Sequence, residues 1–455
     1  MLPKIIVLDD DPTGSQTVHG CLLLTRWDVA TLQQGLADSS PLMFVLTNTR
    51  GMDASVAAQI TATVCVNLQQ ALQGFNRPVL FVSRSDSTLR GHYPVETDVM
   101  AALLGPFDAH FLVPAFFEGG RTTIDSIHYL KVDGKPVPVH ETEFARDSVF
   151  AYHHSFLPDY VEEKTVGKIK AEAVQRFTLS DIRAGSLERL MALHNNACCV
   201  VDAEYQRDLD RFADDLAQAA SQGKRFLFRS AASLLTALAK LPPQAVKAEA
   251  MQGYVKDHRP GVVVVGSHVK KTTAQLVNLL QQPGIVAVEV DVRTLPEQSA
   301  TLLQEVLANV AEAHQRGLTP VIFTSRVERQ FADQATRLAF GEHVSAFLMD
   351  VVRGLPRSIG FLISKGGITS NDILSKGLAL PTARLVGQIL AGCSVVLTPA
   401  DHFFAQIPVV IFPGNVGDDD ALTQVWQRLT ASRPTLPANQ TDRGADTAGL
   451  IPVQL

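Results

Sequence analysis

The densest chemistry in the sequence lies in one stretch, Ser83-Arg84-Ser85-Asp86-Ser87-Thr88-Leu89-Arg90-Gly91. It carries two guanidinium forks, one carboxylate and four hydroxyls. A guanidinium takes a carboxylate or phosphate in a bidentate grip, while Asp and Ser or Thr suit sugar hydroxyls. The plain alternative is a solvated loop with a helix cap. A second acidic cluster, Asp9-Asp10-Asp11-Pro12-Thr13-Gly14-Ser15, stands near the N-terminus. Three neighbouring carboxylates repel one another unless donors or a cation offset them. They suit substrate hydroxyls, a metal ion or a base, whereas a turn or helix cap needs only one acid. Two further loops each carry one arginine, Thr47-Asn48-Thr49-Arg50-Gly51 and Glu118-Gly119-Gly120-Arg121-Thr122. Singly they are bland. Together, Arg50, Arg84, Arg90 and Arg121 make an anion pocket for a small polyhydroxylated acid.

The second half has different material. Val262–Val265 runs into Gly266-Ser267-His268-Val269-Lys270-Lys271-Thr272-Thr273, a strand followed by Gly-Ser and a helix start, which aims backbone N–H groups at an anion. A Walker A loop is excluded, because the second glycine is missing and the Lys-Thr register is shifted. Ser364-Lys365-Gly366-Gly367-Ile368-Thr369-Ser370 and Pro413-Gly414-Asn415-Val416-Gly417-Asp418-Asp419-Asp420 follow two more apolar runs. Paired glycines let a phosphate or base approach the backbone closely. Three such loops in one region point to a nucleotide, although each alone is a common turn. Lys270 and Lys365 are secondary candidates for phosphate contact, set against the plain alternative of solvated lysines.

These loops need strands to hold them. Short apolar runs recur at 5–8, 43–46, 79–82, 111–113, 262–265, 321–323, 360–363, 395–397 and 409–412, each ending in a polar loop. Continuous apolar strands alternating with amphipathic helices predict parallel sheets covered on both faces, an α/β fold. Helices are expected over 55–72, 208–220 and 300–313. A boundary is expected near 240–258, dividing the chain into domains 1–240 and 241–430 and a loosely ordered tail, 431–455. Each domain is read as a mostly parallel sheet with helices on both faces and the active site in the cleft between them. Ligands of such sheets sit beyond the carboxyl ends of the strands. The polar stretch 131–165, with three prolines, reads as an irregular insertion or flap.

Composition bounds the function. The 455 residues include 40 Lys plus Arg and 46 Asp plus Glu, a net charge of −6, with 46% hydrophobic and 19% charged residues. A disordered chain or fibre is excluded, and nucleic acid is disfavoured as a partner. No signal-peptide pattern or stretch approaching roughly 18 apolar residues occurs, so a cytoplasmic protein without a membrane partner is expected. Five scattered cysteines lack CxxC spacing and read as buried thiols, and no zinc-type site is expected. His92, His110, His128 and His402 read as structural, and the Phe-rich stretches 111–117 and 403–404 as core.

The ordered set Asp10-Asp11-Pro12-Thr13-Gly14, Asp86-Ser87-Thr88-Leu89-Arg90-Gly91, Pro114-Ala115-Phe116, Gly120-Arg121-Thr122, Gly266-Ser267, Gly366-Gly367-Ile368-Thr369-Ser370 and Pro413-Gly414-Asn415-Val416-Gly417 resembles the four-carbon acid sugar kinases over nearly the whole chain. Pro12, Ile368 and Val416 depart from residue types common in that family. The resemblance implies an acid-sugar-binding N-terminal domain, an ATP-binding C-terminal domain, and phosphorylation of a hydroxyl on a tetronate such as D-threonate, D-erythronate or a 3-oxo-tetronate. By motif, Asp11, Arg50, Arg84, Ser85 and Asp86 carry over to the acid sugar, and Asp10, Arg90 and Arg121 accompany them. Ser267, Gly366, Gly367, Ile368, Thr369, Gly414 and Asn415 carry over to ATP.

The expected partners are the acid sugar and ATP, with a homodimer admissible and Mg²⁺ bridging the phosphates through mostly water and phosphate ligands. No protein metal site is expected. Arg50, Arg84 and Arg90 are expected to hold the substrate carboxylate, and Asp11 and Asp86 its hydroxyls, with one of the two as base. Two other classes fit less well. An NAD-dependent oxidoreductase needs a GxGxxG after a strand, which is missing. A sugar-acid sensor leaves three nucleotide-type loops without a role.

Overall fold

A computed structural model describes residues 3–15, 17–295, 297–326, 333–414 and 416–431. The chain is α/β. Its strands are β1 (Lys4–Asp9), β2 (Cys21–Leu24), β3 (Leu42–Leu46), β4 (Val79–Arg84), β5 (Ala109–Val113), β6 (Arg121–Ile124), β7 (Ile127–Val132), β8 (Lys135–Pro138) and β9 (Gln175–Phe177). They continue with β10 (Ala197–Val201), β11 (Phe226–Ser230), β12 (Val262–Val265), β13 (Ile285–Val290), β14 (Thr319–Thr324), β15 (Leu362–Lys365), β16 (Thr382–Leu390), β17 (Cys393–Leu397) and β18 (Pro408–Phe412).

Fifteen of these form one sheet in the order β13-β14-β12-β15-β18-β17-β16-β2-β3-β1-β4-β11-β5-β10-β9. Strand β1 lies between β3 and β4, parallel to both. In the other half β12 lies between β14 and β15, again parallel. The halves join through antiparallel pairs: β17 with β18 and β16, then β16 with β2, from Thr382 opposite Leu24 to Leu385 opposite Cys21. The two parallel regions are thus one sheet, linked by an antiparallel strip that apolar runs alone do not announce.

Both faces of the parallel regions are covered, which is why their strands read as unbroken apolar runs. Ile5 and Val7 belong to one apolar cluster, and Ile6 and Leu8 to another on the opposite face. The first cluster also holds Val262 and Val264, so one layer runs under both halves. Each such side chain contributes roughly 1.5–3 kcal/mol by leaving water. The expected helices form at Ala54–Ala71, Gln206–Ser221 and Ser299–Gln315.

The stretch 131–165 is more ordered than expected. Strands β6, β7 and β8 make a small antiparallel sheet, and Leu157–Lys164 is helical. Asp133 and Gly134 both have positive φ at the β7–β8 turn, the conformation a tight hairpin favours. Pro136 and Pro138 sit on the edge strand β8, where a missing N–H does no harm. Val139, Tyr152, Leu157 and Tyr160 share an apolar cluster with Leu112 of β5 and Val200 of β10, which seats the insertion on the main sheet. Phe404 is buried, but Phe403 is 48% exposed with Arg357 stacked over its ring, so the 403–404 pair is only half core. The five cysteines are buried free thiols. Among the described residues, no helix is long and apolar enough to cross a membrane. The expected tail lies, from residue 432 on, outside the described residues.

Candidate functional site

The loops after β1, β3, β4, β15 and β18 open onto one cavity of about 640 Å³. Asp11, Arg50, Arg84, Asp86, Arg90 and Arg121 line one wall. Gly367, Pro413, Gly414, Gly417 and Asp418 line the other. The walls come close: a Cβ placed on Gly367 would stand 3.7 Å from Asp11 Oδ2. Residues from both halves of the sequence therefore share one space.

The first wall is built from ion pairs. Arg50 follows β3 in a short 3₁₀ turn, and its backbone N–H donates to Asp10 O at 3.2 Å. Its guanidinium grips Asp10 through Nη2 and, at 3.3 Å, through Nε, while Nη1 reaches Asp11 Oδ2 at 3.2 Å. Thr13 donates its N–H to Asp11 Oδ1 at 2.8 Å and its hydroxyl to the same atom. Burial alone would raise the Asp11 carboxyl, but Arg50 and Thr13 outweigh it and hold it low. Asp86 accepts from Arg90 Nε at 2.8 Å and from the Thr88 hydroxyl. There too burial is outweighed, by Arg50 and Arg90, and the carboxyl is held well below its ordinary range. Both carboxylates in the wall are ionised at neutral pH.

Asp10 and Ser85, expected at the substrate, sit behind the wall as buried side chains. Ser85 donates to Asp10 at 2.9 Å and accepts from Arg229 Nη2 at 2.6 Å. Arg229, on β11, also donates to Ser83 Oγ at 2.6 Å and to Glu96 at 2.5 Å. This buried Arg229–Glu96 pair braces the loop after β4, and sequence reasoning missed it. Deeper still, Asp9 is pushed up to about 8 by burial, with Arg84 Nη1 at 3.4 Å the main opposing charge. Only glycine fits beside it: a Cβ on Gly14 would lie 2.0 Å from Asp9 Oδ2.

The second wall is made mostly of backbone. Thr272 Oγ1 donates to Gly414 O at 2.9 Å and to Ser267 Oγ at 3.2 Å. Thr369 is buried against Gly266, and Gly366 packs on Ser267. Ser267, Gly366 and Thr369 thus gather beneath the cavity-facing Gly367 and Gly414. Ile368 is 71% exposed and Asn415 lies outside the described residues. Lys365 is neither solvated nor turned to the cavity. It is fully buried, stacks over Phe412 at 3.9 Å, and donates to Pro413 O at 2.5 Å and Gly414 O at 3.3 Å. Burial pushes its amine down to about 7. Lys270 is exposed.

The four histidines all pair with backbone carbonyls: His92 with Thr49, His110 with Asn196, His128 with Ser87 and His402 with Leu378. Phe116, taken from sequence as core, lines the cavity with Phe144, Glu118 and the 390–392 turn. Glu118 accepts from Gln388 at 3.4 Å across the two halves. Among the described residues, no group of three or more His, Cys, Asp or Glu is arranged to hold a metal ion.

A family model described as a sugar-binding N-terminal domain matches residues 5–238. A second, described as a nucleotide-binding C-terminal domain, matches residues 262–422. The D-erythronate kinase of Heliobacterium modesticaldum is 28% identical over 223 residues. That match covers 47% of this chain and 48% of the relative, so the chain spans about half the length of the curated relative it matches. A Salmonella typhimurium LT2 crystal structure, provisionally described as a tRNA synthase, superposes with a TM-score of 0.67 at 18% identity, covering 92% of this chain and 98% of its own. Haemophilus influenzae protein HI1011, of family DUF1537, superposes with a TM-score of 0.62 at 17% identity, covering 93% of this chain and all of its own. At these identities the two structures speak for the fold.

Proposed function

The chain belongs to the four-carbon acid sugar kinase family, with a sugar-binding N-terminal domain matched over 5–238 and a nucleotide-binding C-terminal domain matched over 262–422, and from that premise we propose that its domains run 1–240 and 241–430 and that it transfers a phosphoryl group from ATP to a hydroxyl of a tetronate. The observation that carries this reading is the facing of unlike walls: ionised Asp11 and Asp86 among four arginines on one side, glycine loops on the other, with Asp11 beside Gly367.

The chemistry follows from what each wall offers. Phosphoryl transfer asks mainly for positioning and for charge placed against the transferring group. Guanidinium groups fix the acid's carboxylate. Asp11 and Asp86, kept anionic by their arginines, accept hydrogen bonds from its hydroxyls. Asp11 stands nearer the nucleotide wall and takes the proton of the attacking hydroxyl. Gly366, Gly367 and Gly414 let the nucleotide's phosphates come within reach of backbone N–H groups, and Ser267 and Thr369 stiffen those loops from below. The cavity carboxylates also fit a nucleotide-bound Mg²⁺, which keeps several waters and takes one or two acids. Asp418, on the nucleotide side of the cavity, is the residue that would hold it. When bound, the ion offsets charge on the phosphoryl oxygens.

A coupled ADP-release screen with Mg-ATP over D-erythronate, D-threonate and the 3-oxo-tetronates tests the proposal. ADP release dependent on one of these acids is expected. Release with none of them overturns the substrate class.

A further inference from the structure

We propose that Arg121 is the anchor for the substrate's carboxylate, and so the residue that makes this cavity select an acid over a neutral sugar. The proposal rests on the acid-sugar reading of the cavity.

Four guanidinium groups face the cavity, and they are not equivalent. Arg50 already holds two carboxylates, Asp10 and Asp11. Arg90 holds Asp86 at 2.8 Å and lies 3.5 Å from Asp147. Arg84 is turned down onto Asp9 beneath the wall. These three are spent on orienting the protein's own acids. Arg121 has no carboxylate within ion-pair distance among the described residues. Its Nη1 donates to Gly119 O in its own turn, and its Nε is buried without a partner. The Phe116 ring lies 5.9 Å from the guanidinium carbon.

The backbone holds this side chain in place. The Arg121 N–H donates to Phe116 O at 2.9 Å, and the Phe116 N–H donates to Arg121 O at 3.0 Å, closing the 116–121 turn on itself. Arg121 then opens β6, paired to Leu130. Asp86 acts on Arg121 only from beyond ion-pair distance, and a half-buried cation with no carboxylate in contact is a costly arrangement unless one arrives with the ligand. A carboxylate entering from the cavity would meet the fork at Nη2, the nitrogen that is neither buried nor bonded to Gly119. The proposal departs from the expectation that Arg50, Arg84 and Arg90 take the acid: they hold Asp11, Asp9 and Asp86, which leaves the substrate's charge to Arg121.

The test compares a tetronate with its neutral amide, by calorimetric binding and by kcat/KM, in the wild type, Arg121→Gln and Arg121→Lys. The wild type should prefer the acid by roughly 10- to 100-fold, the range of a charge-assisted hydrogen bond. Arg121→Gln should bring the preference to within about threefold while the amide binds as before, which also reports a folded site. Arg121→Lys should restore part of the preference. The proposal is overturned if Arg121→Gln keeps the full preference, loses acid and amide alike, or raises KM for ATP instead. A wild type that binds neither acid nor amide sinks the acid-sugar reading itself, which separates the two failures.

Discussion

The two walls of the cavity are made of opposite materials. The N-terminal wall is side chains: Arg50, Arg84, Arg90 and Arg121 against Asp11 and Asp86, with Asp9, Asp10, Ser85, Arg229 and Glu96 behind them. The C-terminal wall is chiefly backbone: glycine loops pinned by Thr272, Thr369 and Lys365. The difference follows from what each must recognise. A small acid has a fixed pattern of hydroxyls and one charge, and only placed side chains read such a pattern. A chain of phosphates presents oxygens to any close array of N–H groups, and glycine is what lets it come close. The first wall is therefore damaged by taking atoms away, and the second by adding them.

The largest effect should come from the first wall. Asp11→Asn and Asp86→Asn each keep the volume and remove the charge. Loss of the base at Asp11, or of the hydroxyl acceptor at Asp86, should lower kcat by roughly 10²- to 10⁴-fold. KM for ATP should hold, because neither group belongs to the glycine wall. A variant that keeps near-normal turnover, or that loses ATP binding in step with turnover, would erase the division between the walls.

Next in size is an addition to the second wall. Gly366 has φ +121°, where an L-side chain is strained whatever the space, and an added Cβ would lie 3.0 Å from Ser267 Cβ. Gly366→Ala should cost about 1–3 kcal/mol in the loop, seen as roughly tenfold or greater weakening of nucleotide binding. Tetronate binding should be unchanged. Titration of a fluorescent nucleotide beside calorimetry of the acid reads both at once, and equal losses in the two would count against separate walls.

The asymmetry also explains what was legible in the sequence. Nine strands announced themselves because both their faces are buried. Strand β16 did not: its residues alternate between buried and half-exposed, and Gly387 interrupts the run. Yet β16, paired with β2, makes one sheet of the two halves. The residue types of the charged wall were readable, but not their facing. Asp10 and Ser85 look as suitable as Asp11 and Asp86 until the strand end turns them inward. Arg229 was hidden because its partner Glu96 is 133 residues away, so spacing carried no signal. Lys365 misled for a related reason, since a lysine before paired glycines suggests phosphate, whereas burial turned it onto carbonyls.

The smallest effect tests whether the second wall's loops are pinned without a buried charge, as a wall made chiefly of backbone implies. Lys365 is its buried basic group, and burial lowers its amine from 10.5 to about 7. A neutral amine still has N–H groups to donate, so Pro413 O and Gly414 O can stay bound when the proton leaves. Between pH 7 and 10.5 the unfolded chain binds a proton at this site more often than the folded chain does. Wild-type stability therefore gains from this group as pH rises across that window, and toward pH 6 the folded state increasingly bears the buried charge. Lys365→Met has no such group and no such gain. It should be less stable than the wild type at pH 9, where the wild type keeps its two hydrogen bonds with little buried charge. The gap in Tm should shrink by a few degrees as pH falls to 6. Melting curves of both proteins across pH 6–9 check this. A gap that widens toward low pH would mean that the lysine is stabilised as a cation, and that the second wall carries charge as the first does.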